Sequence, residues 1–320
     1  MKRLSIAALA WFLAACAHTP VTPAYAPSPV PSAFNQQIRN AHNAIDAGDG
    51  DYQLKTLRER AAAEPENADV RVELIRAYRD RSYPDIALEM ARLAAARFPQ
   101  NEAIQLELVR SLRDMNQRNE AISLLDGYLK SHPGAGAAAF SWLGILYDES
   151  GQWAMGEPED RKAVELSPTT AYLHNNLGYN LLMQKKNADA AAEFREAMRL
   201  DPSSQLARNN LGTALAAEND TRDALENWRS TSDPATAHNN LAAVYIEKGN
   251  YPEARKELEI ALGYNRLHPA ALKNLELVSR LDGNAATMPG KETETRWERW
   301  KAGFLRLFVG PLDDSRATPR

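Results

Sequence analysis

Apolar residues recur at three- and four-residue intervals in two runs within residues 171–204, with a polar tract between the runs. This spacing predicts two amphipathic helices joined by a turn at residues 184–187. Pro202 follows the second run, and because proline cannot continue a helix, it closes the unit. Gly178 and Ala190 are small enough to let the two helices approach closely. One such pair leaves apolar surface uncovered, so further copies are expected beside it.

The same pattern recurs along the chain at a nearly constant period. Copies begin at residues 34, 68, 102, 137, 171, 205, 235 and 269, in steps of 34, 34, 35, 34, 34, 30 and 34 residues. Proline closes five successive copies, at Pro65, Pro99, Pro133, Pro168 and Pro202. This repetition predicts stacked helix–turn–helix units, each of which contacts only its neighbours.

Leucine repeats in the first helices at the same period, as Leu74, Leu108, Leu143, Leu177, Leu211, Leu241 and Leu275. Together with the small residues and the closing prolines, these leucines make residues 34–282 resemble the tetratricopeptide repeat (TPR) family. The resemblance implies an all-α solenoid of about seven repeats, closed by a capping helix at residues 269–281.

Three units depart from the family pattern. The first has Asn40 and Gln53 where Leu and Ala are expected, and the unit at residue 205 is four residues short in its second helix. The unit at residue 137 carries Gly156 and Pro158 inside its second helix, which predicts a kink or fraying there.

The N-terminus has the layout of an export signal. Basic residues precede an apolar run at residues 4–12 that is too short to span a bilayer. The sequence Leu13-Ala14-Ala15-Cys16 follows, and small residues before a cysteine resemble the bacterial lipobox. The resemblance implies a lipoprotein signal peptide over residues 1–15 and fatty acylation of Cys16 (palmitate in the common case). The alternative is a chance cysteine in a plain secretory peptide or a membrane helix.

Cys16 is the one cysteine of the chain, so it serves no disulfide framework and no zinc site. Three acyl chains, each contributing about 0.8 kcal/mol per buried CH₂, would hold the protein on a membrane permanently. Residue 17 is Ala and not Asp, which by the sorting rule of enteric lipoproteins favours the periplasmic side of the outer membrane. Residues 16–33 are rich in proline and form a tether; at ~3.1 Å per residue, a polyproline II tether would reach roughly 50 Å.

First helices line the concave side in the TPR family, and asparagine pairs stand in register there in three successive units. These pairs are Asn175 and Asn176, Asn209 and Asn210, and Asn239 and Asn240. An amide both donates and accepts hydrogen bonds, so the resemblance implies a groove that binds an extended peptide. Alternatively, the second asparagine of each pair bonds neighbouring helices. Arg208 and Lys273 are candidates for an incomplete carboxylate clamp.

The remaining chemistry points away from catalysis. The net charge of −4 comes with no basic stripe, so nucleic acid is not an expected partner. Motifs of hydrolases, nucleotide-binding proteins and helical metal sites are missing from the sequence, so no enzyme activity, cofactor, metal or small-molecule substrate is expected. His174 and His238 are expected to pack at repeat seams. Acidic residues are expected on solvated helix surfaces.

The C-terminus changes character after a linker at residues 283–293. Over residues 294–309, one face of a predicted helix carries Trp297, Trp300, Phe304, Leu307 and Phe308, and a disordered tail follows at residues 310–320. This amphipathic helix could dock on the solenoid, lie on an anionic membrane surface or bind a partner.

A lipid-anchored TPR array beside a membrane is expected to be a scaffold for partner proteins. Its plan resembles that of the TadD-like lipoproteins of tight-adherence (Flp) pilus systems, which implies that it assists assembly or localisation of a secretin or pilus subunit. The alternative is an adaptor of the NlpI type, which recruits cell-wall hydrolases or proteases. A catalytic lipoprotein would need a separate domain, for which residues 283–320 are too few.

Overall fold

The computed structural model describes residues 51–285, and within them the chain has fourteen α-helices and no strand. The predicted all-α repeat fold is confirmed. Several predictions lie outside the described residues: the signal peptide, Cys16, the tether, the first helix of the unit at residue 34 and the C-terminal amphipathic helix. The described residues form two compact units, 51–204 and 205–285.

The unit 51–204 contains nine helices, which alternate between first and second helices of successive repeats. They are α1 (Tyr52–Ala63), α2 (Ala68–Asp80), α3 (Pro84–Arg97), α4 (Glu102–Asp114), α5 (Arg118–Ser131), α6 (Ala137–Glu149), α7 (Trp153–Leu166), α8 (Ala171–Met183) and α9 (Asn187–Leu200). The helix α1 is the second helix of the first repeat, and the other eight form four pairs. Each first helix also contacts the first helix of the next pair.

The unit 205–285 contains two pairs and a capping helix. Its helices are α10 (Gln205–Ala217), α11 (Thr221–Arg229), α12 (Pro234–Glu247), α13 (Tyr251–Tyr264) and α14 (Pro269–Asp282). The helix α11 has 9 residues where the other second helices of complete pairs have 14, so the predicted shortening of this repeat is confirmed. On α14, Leu275 and Val278 pack into the core of α12 and α13.

One local conformation ends every first helix from α2 to α12. The second residue beyond the end of the helix adopts a left-handed backbone, with φ between 61° and 73°, at Ser82, Asn116, Gly151, Lys185, Asn219 and Gly249. The next amide then donates back to a carbonyl five residues earlier, as Lys186 N does to Leu181 O at 2.9 Å. This arrangement satisfies carbonyls that the helix end would otherwise leave unpaired, and it turns the chain into the second helix.

The closing prolines act where the sequence predicts. Pro65, Pro99, Pro133, Pro168 and Pro202 each stand two residues beyond the end of a second helix. One unit tolerates a proline inside its second helix. The helix α7 runs from Trp153 to Leu166 through both Gly156 and Pro158, so it does not fray into separate pieces there. Pro158 is the sixth residue of this helix, so its missing amide removes one helical hydrogen bond, the one to the Ala154 carbonyl.

Candidate functional site

The asparagine pair of α8 lies between repeats more than on open surface. Asn175 is buried, with 7% of its surface exposed, and Asn176 is half-buried. The Asn176 side-chain amide donates to the Ser141 hydroxyl on α6 at 3.2 Å. This bond joins two successive first helices, the structural role that was the alternative to peptide binding.

The equivalent pairs in the unit 205–285 vary in their surroundings. Asn239 is 3% exposed, and its side-chain oxygen accepts from the amide of Asn274 on α14 at 2.9 Å. Asn210 is also buried, whereas Asn209 and Asn240 are half-buried. Burial leaves Asn175, Asn210 and Asn239 little surface for a ligand, so the half-buried asparagines are the better candidates for contact with a peptide.

The two basic clamp candidates lie on different helices of the unit 205–285. Arg208, on α10, donates to the Ser230 hydroxyl at 3.4 Å and is half-buried. Lys273 is exposed on α14. Each is held on a first helix or the capping helix, where a partner could reach it.

Both histidines lie at seams between helices. His174 is 7% exposed; its Nδ1 lies 2.7 Å from a Glu193 carboxylate oxygen on α9, and its Nε2 lies 2.9 Å from the Pro168 carbonyl. His238 repeats the arrangement, with Nδ1 at 2.6 Å from Glu257 on α13. These contacts fix a first helix to its own second helix, and they occupy the nitrogens that a ligand would need.

A feature that the sequence reasoning missed is a network of arginines on the first helices of the unit 51–204. Glu107 on α4 is fully buried, and it accepts from three guanidinium groups: Arg76 at 2.6 Å, Arg79 at 3.0 Å and Arg110 at 2.5 Å. Because an unpaired buried carboxylate is strongly unfavourable, these arginines are what make the position tenable. The expectation that acidic residues stay on helix surfaces is wrong here.

The network continues onto α6 through an aromatic ring. The Arg110 guanidinium carbon lies 4.9 Å from the centre of the Trp142 ring, and that of Arg113 lies 5.7 Å from it. Both distances are within the range of cation–π attraction. Arg113 also donates to Glu149 at 2.7 Å, and this hydrogen bond raises the pKa of the guanidinium.

We name this surface the arginine–tryptophan patch and define it by Arg76, Arg79, Arg110, Arg113 and Trp142. With Arg118, which also reaches Glu149, five guanidinium groups share the carboxylates of Glu107, Asp114 and Glu149. Two positive charges are therefore in excess. Arg76 is the most open member, with 51% of its side chain exposed. The sequence signal that could have revealed this patch is that its arginines recur at the repeat period. Arg76 and Arg110, like Arg79 and Arg113, are 34 residues apart.

No helix within residues 51–285 is long and apolar enough to cross a membrane. In the same stretch, no group of three or more His, Cys, Asp or Glu side chains is arranged to hold a metal ion.

Comparisons with known proteins agree with the architecture. A family model described as "Tetratricopeptide repeat" matches residues 175–228. A chain of the crystal structure of the APC/C hetero-tetramer Cut9–Hcn1 is similar, with a TM-score of 0.56 and 17% identity. The match covers 77% of this chain and 50% of that chain, so this protein spans half the length of that relative.

A tetratricopeptide repeat protein from Parabacteroides merdae is also similar, with a TM-score of 0.51 and 14% identity over 77% of this chain and 98% of that chain. No curated protein sequence matches this chain. At these identities the structural likeness concerns the fold. The described helical pairs have the tetratricopeptide repeat fold, a scaffold for protein–protein interaction.

Proposed function

We propose that this chain, whose helical pairs have the tetratricopeptide repeat fold, is a non-enzymatic scaffold that binds an extended, carboxylate-bearing segment of a partner protein. The observation that carries the proposal is the arginine–tryptophan patch, which three successive first helices build. Together with Arg118, its four arginines exceed by two the three carboxylates that they share, which suits a partner with acidic side chains or a terminal carboxylate. The half-buried Asn176 and the ring of Trp142 offer neutral contacts nearby on α8 and α6.

The patch is held ready for binding before a partner arrives. Glu107, Asp114 and Glu149 fix the arginine side chains in place, so little rotamer freedom is left to lose on binding. Guanidinium groups present several donors in a fixed plane and pair with a carboxylate through two bonds, which a lysine cannot do. Arg76, exposed for half of its side chain, is the first group that an incoming carboxylate would meet.

We further propose that the protein is a lipoprotein, acylated at Cys16 and facing the periplasm from the outer membrane. The lipobox-like run before Cys16 and the proline-rich tether support this proposal. An anchor raises the local concentration of the scaffold near membrane partners without adding any contact. Incorporation of labelled palmitate into the wild-type chain and not into Cys16→Ala is the expected result; equal labelling would refute acylation at this residue.

Within that setting, the proposed task is assembly or localisation of a pilus or secretion apparatus of the Tad/Flp type, with a secretin or pilus-assembly subunit as partner. The shared plan of lipobox, tether and repeats supports it. The alternative is an NlpI-like adaptor that recruits cell-wall hydrolases or proteases. In that case the same surface would bind a hydrolase or a protease instead of a secretin or a pilus subunit.

Crosslinking in membranes, followed by capture through a C-terminal tag, separates these proposals. A captured secretin or pilus subunit supports the first, and captured hydrolases or a periplasmic protease support the second. Arg76→Ala should reduce capture of the true partner and leave helical content unchanged. The matched control is Arg195→Ala, at an exposed arginine on the second helix α9. Equal capture by both variants would refute the patch as the binding surface.

A further inference from the structure

The pair α6–α7 carries a carboxyl group where its neighbours carry a large apolar side chain. Asp160 stands 34 residues before Phe194 and 35 residues after Leu125, both of which are fully buried core residues. Asp160 itself is only 1% exposed. Neither of its carboxylate oxygens has a hydrogen-bond partner among the described residues. An ionised carboxylate in that position would lack a compensating donor from the described residues.

A second buried carboxyl group lies close by on α6. Asp148 is 8% exposed, and one of its oxygens accepts from the side-chain amide of Asn180 on α8 at 2.6 Å. The same amide donates to the Trp153 carbonyl at the start of α7, at 2.9 Å. Asn180, which is fully buried, therefore ties three helices together at the point where the two acids meet.

Two glycines make room for these acids between α6 and α7. A Cβ atom at Gly144 would lie 2.3 Å from an Asp160 oxygen, and one at Gly156 would lie 2.4 Å from an Asp148 oxygen. Each carboxyl group thus sits directly against the backbone of the facing helix. A side chain at either glycine would displace the facing acid or move a helix, so both acids are packed tightly between α6 and α7.

The charged groups that surround the two acids are mostly acidic. Glu149 on α6 and Glu159 on α7 repel a negative charge on them, and Tyr179 faces Asp148 from α8. The basic side chains of this region are themselves paired with other acids. Arg161 on α7 and Lys186 before α9 pair with Glu157, at 2.9 Å and 2.6 Å, and Arg113 and Arg118 pair with Glu149. Burial raises the pKa of Asp148 to about 7, and burial together with the Asp148 charge raises that of Asp160 to about 8.

We propose that Asp148 and Asp160, named the buried acid pair, form a proton-operated contact that holds α6, α7 and α8 together when protonated and loosens them when it ionises. Protonation converts both side chains into neutral groups that fit the buried space. Loss of the protons places negative charge between α6 and α7, with Glu149 and Glu159 nearby. The helices then separate enough to admit water or a cation. The inference is independent of which partner the scaffold binds.

The direction of the pH effect follows from the raised pKa values. In the unfolded chain both groups have ordinary pKa values near 3.8. The folded state therefore binds more protons than the unfolded state between that value and about 7 for Asp148, or about 8 for Asp160. The stabilisation is complete at low pH, and it is lost as the pH rises through the folded-state pKa values.

The test is chemical unfolding of the full chain between about pH 5 and pH 8, compared among wild type, Asp160→Asn and the double variant Asp148→Asn/Asp160→Asn. A single linked proton changes the unfolding equilibrium constant by up to about tenfold per pH unit. We expect the unfolding equilibrium constant of the wild type to rise at least tenfold more across this pH window than that of Asp160→Asn. The double variant should show the weakest dependence of this constant on pH. The matched control is Asp189→Asn, at an exposed aspartate of α9, which should keep the wild-type slope.

A second measurement covers the case in which a variant folds poorly. The carboxyl carbons of ¹³C-labelled aspartate report each titration directly in the wild-type chain. Two resonances that titrate above about pH 6, and that disappear in the respective Asn variants, support the proposal. Parallel hydrogen exchange should show faster opening of α6–α8 at pH 8 than at pH 5 after correction for intrinsic rates. Titration of both groups near pH 4, or equal pH slopes in wild type and double variant, would overturn it.

Discussion

Gly178 lies directly against the ring of Phe194, the fully buried aromatic residue of the same helical pair. A Cβ atom at Gly178 would come within 2.8 Å of a ring carbon, nearer than non-bonded carbons approach. Gly212 and Trp228 repeat the relationship in the next pair, also at 2.8 Å. The first helix must therefore carry no side chain at this position, so that the second helix can pack its large aromatic side chain against the backbone.

The first prediction concerns that contact. Gly178→Ala should lower the free energy of unfolding by about 1–3 kcal/mol, because the added methyl group forces Phe194 or a helix backbone to move. The control is Gly127→Ala, at an exposed glycine inside α5 with no atom within 4 Å of the added Cβ. There the same substitution should stabilise by up to about 1 kcal/mol through helix propensity. Urea unfolding measures both, and a stabilised Gly178→Ala would contradict the packing argument.

The second prediction concerns Glu107. Glu107→Gln should destabilise the protein by about 3 kcal/mol, because Arg76, Arg79 and Arg110 lose the one negative charge that they share in a buried site. The matched control is Glu73→Gln. Glu73 pairs with Arg60 at 3.0 Å on open surface, with both side chains more than 40% exposed, so its loss should cost under about 1 kcal/mol. Equal effects of the two substitutions would show that the buried network adds no stability.

Repeat architecture was predictable because its signals are local and recur. The spacing of Leu177 and Ala190, the closing Pro202 and the shortened helix before Pro234 are all visible in a single unit or between neighbouring units. Each is tied to a backbone rule that holds whatever the helix packs against. The fold could therefore be deduced from periodicity, and helix bounds followed within a few residues.

The functional surface was harder to predict because it joins residues from different repeats. Nothing near Glu107 in the sequence indicates that Arg76 and Arg79 reach it from the preceding repeat. The asparagine pairs were visible, but whether Asn175 or Asn176 is buried depends on the rotation of α8 against α6. Asp160 could have been found by aligning it with Phe194 at the repeat period, since an acid at an aromatic core position breaks the pattern.

The third prediction concerns the short repeat. Trp228 is 1% exposed, and its indole nitrogen donates to the Asn209 carbonyl on α10 at 3.0 Å. Because α11 has only 9 residues, this one side chain supplies much of the helix's buried surface. Trp228→Ala should cost about 3–5 kcal/mol, and Trp228→Phe about 1 kcal/mol for the lost hydrogen bond and a small void. Thermal unfolding monitored by circular dichroism ranks the two; a larger loss for Phe than for Ala would refute this account of the repeat.

The fourth prediction concerns the contribution of Glu157 to stability at low pH. Burial alone would raise the pKa of Glu157, but hydrogen bonds from Lys186, Gln184 and Arg161 overcome it and lower the pKa to about 2. The folded state thus holds this carboxylate ionised where the unfolded chain, with its ordinary pKa of 4.5, would already take up a proton. Its contribution is present above pH 4.5 and is lost as the pH falls towards 2.

Glu157→Gln should therefore lower stability at neutral pH and have a progressively smaller effect as the pH falls from about 4.5 to 2, measured by urea unfolding at each pH. Glu165→Gln is the matched control, since Glu165 forms an exposed pair with Lys162 on the same helix, α7. This control should change stability little at any pH. A Glu157→Gln effect that stays constant down to pH 2 would mean that the helix ends of α7 and α8 do not depend on the charge of this carboxylate. The loss would then be one of packing alone.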